Sequence, residues 1–296
     1  MRASRLGGGL ALFVLLLTAS LGQAATLLAD DVPPGKSPIE TALQADLVGI
    51  ANPEGFSLVV GAYRRWISEF DKVEAIPSSY LQAGTMLSIN PAYAQGSVYG
   101  EWMPALFAQF RLQYDLYGFF GASGALLSFP SATSRFGNDE IDALKDQEES
   151  GVGHRIFLQP TLRGKVGPVY LRNQTDLGYY WFDARGPYYF EREYDTLLKS
   201  GDLLAVNRTH ALFEAWKGRD SEILLAGPFY EVTHAADASI TRQRLGAAFY
   251  WVPMERVWSL SRPRFYAEVG YNMQDRNRGH QAFAVFGIGF DYDLLK

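Results

Sequence analysis

The 296-residue chain contains no cysteine and only four histidines, His154, His210, His234 and His280. The first absence excludes a disulfide framework and a lipoprotein attachment site. The histidines form neither a His-x-x-x-His repeat nor a His-Glu pair, which removes the usual metal-ligand spacings. There is no Gly-x-Ser-x-Gly elbow and no glycine-rich phosphate loop, since the triple glycine at 7–9 belongs to the leader. No run of basic residues offers a nucleic-acid surface, and the formal net charge is −5. Beyond the leader, nothing approaches the roughly eighteen consecutive apolar residues of a membrane-spanning helix. These absences leave no cofactor, no metal and no catalytic residue to assign, and the chain reads as a non-enzyme.

What is present begins with a leader. Arg2 and Arg5 precede the apolar run LALFVLLL, and small residues follow at Gly22 and Ala24. A charged start, a short apolar core and a small-residue exit read as a secretory signal peptide over 1–24. Residues 25–55, with the turn-rich DDVPPGKSP and then IETALQADLVGI, read as a leader or linker with short helical turns at most. From 56 to 296 the pattern is period two, with no second domain. Tyr and Phe are abundant at 17 and 19 residues, and glycine reaches 29. That composition suits a β protein that shows rings to a non-aqueous surface.

The alternation separates charge from apolar surface strand by strand. In ALFAQFRLQYDL, Leu106, Ala108, Phe110, Leu112 and Tyr114 oppose Gln109, Arg111, Gln113 and Asp115. In RPRFYAEVGYNM, Phe265, Ala267, Val269 and Tyr271 oppose Arg264, Tyr266, Glu268 and Asn272. Twelve strands are expected, over 56–66, 80–90, 104–115, 117–129, 153–166, 168–183, 187–199, 202–217, 221–235, 240–252, 262–274 and 281–294. Many are longer than the five or six residues of an average soluble strand and suit the roughly nine to eleven of a membrane-spanning one. Aromatic clusters such as YYWF (179–182), PYYF (187–190) and FYW (249–251) fall at strand ends, as rings do where lipid meets water. One inconsistency stands in this scheme. The longest connection, 131–151, follows the fourth expected strand, where a short turn belongs. Either the third and fourth expected strands are one unit, or an upstream segment such as 41–50 is a strand.

The closing stretch, QAFAVFGIGFDYDLLK, places Phe286, Ile288, Phe290, Tyr292 and Leu294 on one unbroken apolar face. With the long alternating strands, it resembles the Gram-negative outer-membrane β-barrel class, over roughly 56–296. The resemblance implies an all-β fold, a transmembrane antiparallel up-and-down β-barrel of about twelve strands, ten to fourteen at the limits. It also implies the bacterial outer membrane as location, with outer-membrane lipid and the barrel-assembly machinery as partners. The chain departs from the class at its end, where Lys296 stands in place of a terminal aromatic residue.

On the expected polar face lie Arg111, Arg172, Glu191, Glu193, Arg208, His210, Arg242, Arg244, Arg264 and Glu268. Charges of both signs on neighbouring strands suit a lumen in which each charge finds a partner or water. Gly287 and Gly289 are expected on the lumen side, making room for larger neighbours such as Arg264. The function expected is a narrow channel or transport component with a mixed-charge lumen. The alternatives are a structural or partner-binding barrel in an envelope or exopolysaccharide-export assembly and, further off, an outer-membrane hydrolase using His210 or His234.

Overall fold

The computed structural model describes residues 37–294 apart from 53, 71–76, 124–125, 219–221, 255 and 259. The expected signal peptide and the first part of the expected linker, 25–36, lie outside the described residues. Twelve long strands form the wall, numbered here in chain order. They are β1 (Ile39–Ala51), β2 (Gly55–Phe70), β3 (Pro77–Ile89), β4 (Tyr93–Ala105), β5 (Ala108–Phe120) and β6 (Ser150–Val166), then β7 (Val169–Phe182), β8 (Asp202–Lys217), β9 (Ile223–Ala235), β10 (Ile240–Val252), β11 (Leu260–Gln274) and β12 (Ala282–Asp293). They run from 12 to 17 residues, enough to cross a hydrocarbon layer at a tilt. Each pairs antiparallel with its sequence neighbours, and β1 pairs with β12 from Ala42↔Asp293 to Ala51↔Ala284. The result is a closed up-and-down barrel without an edge.

Period two decides which side chains meet which solvent. Leu43, Leu47, Leu58, Leu112, Leu158, Phe249, Val269, Phe286 and Ile288 all point outward and are exposed. Tyr63, Gln82, Tyr99, Glu101, Asp115, Arg155, Glu231 and Arg242 point inward and are buried. Such a distribution inverts that of a water-soluble barrel and is stable when the outer solvent is lipid. One mid-wall patch breaks the apolar band: Asn173 and Thr175 on β7, and Asn207 and Thr209 on β8. The amides answer one another, with Asn173 Nδ2 donating to Thr209 Oγ1 at 2.7 Å and Asn207 Nδ2 to Thr175 Oγ1 at 2.8 Å. Internal satisfaction lowers the cost of polar groups facing hydrocarbon.

The twelve wall strands differ from the twelve expected ones at both halves of the chain. The barrel begins at Ile39, so 39–51 is the first wall strand rather than linker. Its composition of Ala, Gln, Glu and Leu favours a helix, and pairing with β2 and β12 overrides that preference. Strand β4 was absent from the expected set because its outward face carries Gly96 and Gly100, which blank the apolar signal. The expected strand at 117–129 divides, its first residues ending β5 and Ser128–Phe129 forming part of an inner sheet. The expected strand at 187–199 is an inner hairpin, Tyr188–Glu191 with Thr196–Leu198. With β1 and β4 in place, both long connections, 121–149 and 183–201, fall at the same end of the barrel. Long loops mark the extracellular end of such barrels, and short turns the periplasmic end. At the short-turn end, Gly167 opens the two-residue β6–β7 hairpin with φ of +59°, the left-handed value that a type II′ turn needs at its first position.

Candidate functional site

The long connections do not leave the barrel but fold into its mouth. Ser128–Phe129, Tyr188–Glu191 and Thr196–Leu198 form a three-stranded antiparallel sheet inside the wall. Leu126, Leu127, Leu197 and Leu198 are completely buried, packed with Phe129, Phe136, Tyr189 and Phe190. Wall residues complete the cluster from the tops of the strands: Tyr117 and Phe119 on β5, Tyr180 and Phe182 on β7, Leu204 and Val206 on β8. Phe182 stacks on Tyr189 at 4.8 Å between ring centres and so joins wall to insert. A lumen needs water or polar groups to carry ions, and this end holds a buried aromatic and aliphatic plug.

Hydrogen bonds to one arginine tie the plug to the rim. Arg278, in the β11–β12 connection, is almost fully buried and donates from Nε to Asp195 Oδ2 at 2.6 Å. Its Nη1 donates to Asn52 Oδ1 at 2.9 Å, in the β1–β2 turn, and to Asn138 Oδ1 at 2.8 Å. Asn138 opens the short helix α1 (Asn138–Ala143) in the longest connection. Four separate connections therefore meet at a single guanidinium. Within the hairpin, Glu191 is buried and accepts from the Tyr194 backbone N–H at 2.6 Å. Burial, and next the Glu193 carboxylate, push its carboxyl up to about 8.

Beneath the plug the inward face is a network of charge. Glu231 on β9 draws three arginines together, with Arg208 Nε at 2.9 Å, Arg242 Nη2 at 3.3 Å and Arg244 Nη1 at 3.7 Å. Glu101 accepts from Arg111 Nε at 2.8 Å and from the Tyr80 hydroxyl at 2.6 Å. Asp115 accepts from Arg155 Nε at 2.6 Å, and Arg155 Nη1 reaches Glu193 at 2.8 Å. Arg264 bridges Asp46 and Asp291. His210 Nε2 lies 3.0 Å from Glu268 Oε1, while its Nδ1 has no hydrogen-bond partner among the described residues. A catalytic triad places a nucleophile on one ring nitrogen and a carboxylate on the other. Towards the short-turn end the inward side chains meet solvent again, Arg163, Lys165 and Arg172 being exposed. The lumen is thus a polar vestibule, open at the short-turn mouth and capped at the mouth that carries the long connections.

Eight of the ten residues expected in the lumen stand on wall strands and face inward: Arg111, Arg172, Arg208, His210, Arg242, Arg244, Arg264 and Glu268. Glu191 and Glu193 are also inside the barrel but belong to the inserted hairpin, since 187–199 is not wall. The arginine partner of Glu193 is Arg155 on β6 rather than Arg172 or Arg208 on the flanking strands, while Glu191 accepts from the Tyr194 backbone N–H. His234 points outward, with Nδ1 2.9 Å from Thr241 Oγ1, away from the lumen. Sequence reasoning did not single out Glu231, Glu101, Asp46, Asp195 or Arg278. Glu231 lies on the inward parity of an expected strand, which was available as a signal; Asp46 and Glu101 lie on β1 and β4, which were not among the expected strands, and the last two lie in connections, where alternation is silent.

No family model and no curated protein matches the sequence. Among solved structures, the chain is similar to the β domain of the Bordetella autotransporter Brka, with TM-score 0.41, 10% identity and coverage of 86% of this chain and 99% of that one. It is similar to the KdgM porin at TM-score 0.40 and 6% identity, covering 85% and 99%. It is also similar to the translocator domain of the autotransporter NalP from Neisseria meningitidis at TM-score 0.37 and 10% identity, covering 95% and 97%. This chain itself is a closed antiparallel barrel, apolar outside and polar within.

Proposed function

We propose that the protein is an outer-membrane channel of narrow bore, held shut by its inserted connections. The observation that carries this reading is the contrast between the two ends of the lumen. The periplasmic half keeps solvent-exposed charge on its inner wall, including Arg172, whose contact is the Gln174 amide rather than a carboxylate. The outer half is closed by connections that pack an apolar cluster against the wall and are latched by Arg278, yet their inner sheet shares no ladder with the wall. Mixed rings of charge along such a bore bias which ions and polar solutes pass. Twelve strands enclose a lumen that inserted segments and long side chains fill readily, so large conductance is not expected.

The test is recording in planar bilayers of the wild type and of a variant in which 187–198 is replaced by a short Gly-Ser linker. The wild type should show small, infrequent openings and the variant a sustained current. Silence of both at every voltage, with heat-modifiable gel mobility showing that both barrels are folded, would reject the channel.

A further inference from the structure

Arginines on the inward face of the wall strands almost all have a carboxylate within ion-pair reach. Arg65 has Glu40, Arg111 has Glu101, Arg155 has Asp115, Arg208, Arg242 and Arg244 have Glu231, and Arg264 has Asp46. Arg163 and Arg172 have none among the described residues. They are also direct cross-strand partners in the β6–β7 hairpin, one on each limb just above its turn. Like charges directly opposite one another destabilise a sheet. Arg172 continues the row to His210 on β8, and Arg208 lies diagonally across from it. The surrounding acids are already engaged: Glu214 with Lys165 at 2.7 Å, Asp176 with Gln159 at 2.8 Å, and Glu268 with His210 at 3.0 Å. Arg163 is held by neutral acceptors, donating from Nε to the Leu106 carbonyl and from Nη2 to Gln109 Oε1, each at 3.0 Å.

We propose that Arg163 and Arg172 form a binding site for an oxyanion, a carboxylate or phosphate group carried by the solute that enters from the periplasmic mouth. The two arginines stand in register on opposite limbs of one hairpin and bring N–H donors to the same stretch of inner wall, and guanidiniums recognise carboxylate and phosphate oxygens in two-point fashion. An anion between them supplies the missing countercharge and removes the cost of the like-charge row. The assignment of this oxyanion to a transported solute rests on the channel reading; binding itself does not.

The test uses full-length folded protein in detergent micelles, titrated calorimetrically with inorganic phosphate in one arm and acetate in the other. Saturable binding in either arm is expected, with the preferred anion distinguishing phosphorylated from carboxylated solutes. R172Q or R163Q should weaken it by about tenfold or more, the loss typical of one charge-assisted contact. R172K should restore part of it, and R185Q, at a side chain 88% exposed on the outer rim, should leave it unchanged. Heat-modifiable mobility checks that each variant is folded. Absence of binding in both arms, or equal binding by folded wild type and R172Q, overturns the site. In bilayers under a potassium chloride gradient, the wild-type reversal potential should indicate anion preference and that of R172Q a shift towards cations. A silent bilayer with intact phosphate binding removes the channel and leaves the site; a conducting barrel that binds neither anion removes the site and leaves the channel.

Discussion

Arg264 on β11 and Asp46 on β1 form a two-pronged ion pair, with Nη2 2.8 Å from both carboxylate oxygens and Nε 3.1 Å from Oδ1. The strands that carry them are not neighbours. Between them runs β12, and the residue in register with both is Gly289. Only an absent side chain lets the pair meet, so a glycine on the last strand helps lock the wall at its seam.

Gly289→Val should therefore destabilise the barrel. A Cβ there would lie 2.9 Å from Arg264 Nε and closer still to Asp46, so the ion pair must break or the strand must shift. Overpacking of this kind costs about 1–3 kcal/mol. Urea unfolding in lipid vesicles, followed by gel mobility, should show a lower midpoint for the variant. An unchanged midpoint would mean that the seam does not depend on this pair.

Arg278→Met should free the plug while leaving the wall intact. Removing the guanidinium takes the nearest partner from the buried Asp195 carboxylate and leaves it only Arg242 Nη1 at 3.7 Å, so the cost falls below the roughly 3–5 kcal/mol of a fully unpaired buried charge. The measurable outcome is faster proteolysis within 121–149 and 183–201 at unchanged heat-modifiable mobility. Equal resistance of variant and wild type would show that the apolar cluster holds the plug unaided.

Rising pH should loosen the same plug through Glu191. Its raised folded value means that the neutral carboxyl stabilises the fold fully below the ordinary value of 4.5, progressively less as pH climbs, and not at all above about 8. Burial and the Glu193 carboxylate set the upward direction, against the Tyr194 backbone N–H and Arg155, which favour the charged form. Because the chain has no cysteine, a nitroxide attached through Lys199→Cys reports on this segment alone. Its mobility should increase between pH 6 and 9 and remain flat when Glu191→Gln is added. A pH response that survives in Glu191→Gln would assign it to another group.

Phe286→Arg separates a lipid-facing wall from a water-facing one. Phe286 is 58% exposed in the middle of β12. An arginine in the middle of a lipid-facing wall costs about 2–4 kcal/mol. Folding yield into vesicles should fall, whereas a barrel surrounded by water would gain solubility from the same change.

Faces were legible in the sequence; partners were not. Period two alone places Arg208 and His210 inside and Phe286 and Ile288 outside, because a strand has two sides and the charges chose one. Glu231 stands in PFYEVTHA as an isolated acid, and its meeting with three arginines depends on the register of β8, β9 and β10. Turn lengths set that register, not the residues within one strand. The hairpin at 187–199 shows the opposite limit. Tyr189, Phe190, Leu197 and Leu198 carry the aromatic and aliphatic content of a wall strand, yet both of their faces are buried inside the barrel. Period two cannot distinguish a strand that lines a bore from one that fills it. The misplaced long connection did carry that information, since topology forbids a long loop at the short-turn end.

The position of Arg278 has a consequence for assembly. Closing the wall joins 39–51 to 282–293, the strand pairing of greatest chain separation among the described residues and so the one with the highest loop-closure cost among them. Arg278 lies in the connection that leads directly into that closing strand. The segments it fastens, around Asn52, Asn138 and Asp195, come from chain made earlier. The latch of the plug thus travels on the hairpin whose arrival seals the cylinder, so the events that shut the bore and complete the wall share one segment, and a barrel still open along its seam has its latch unset.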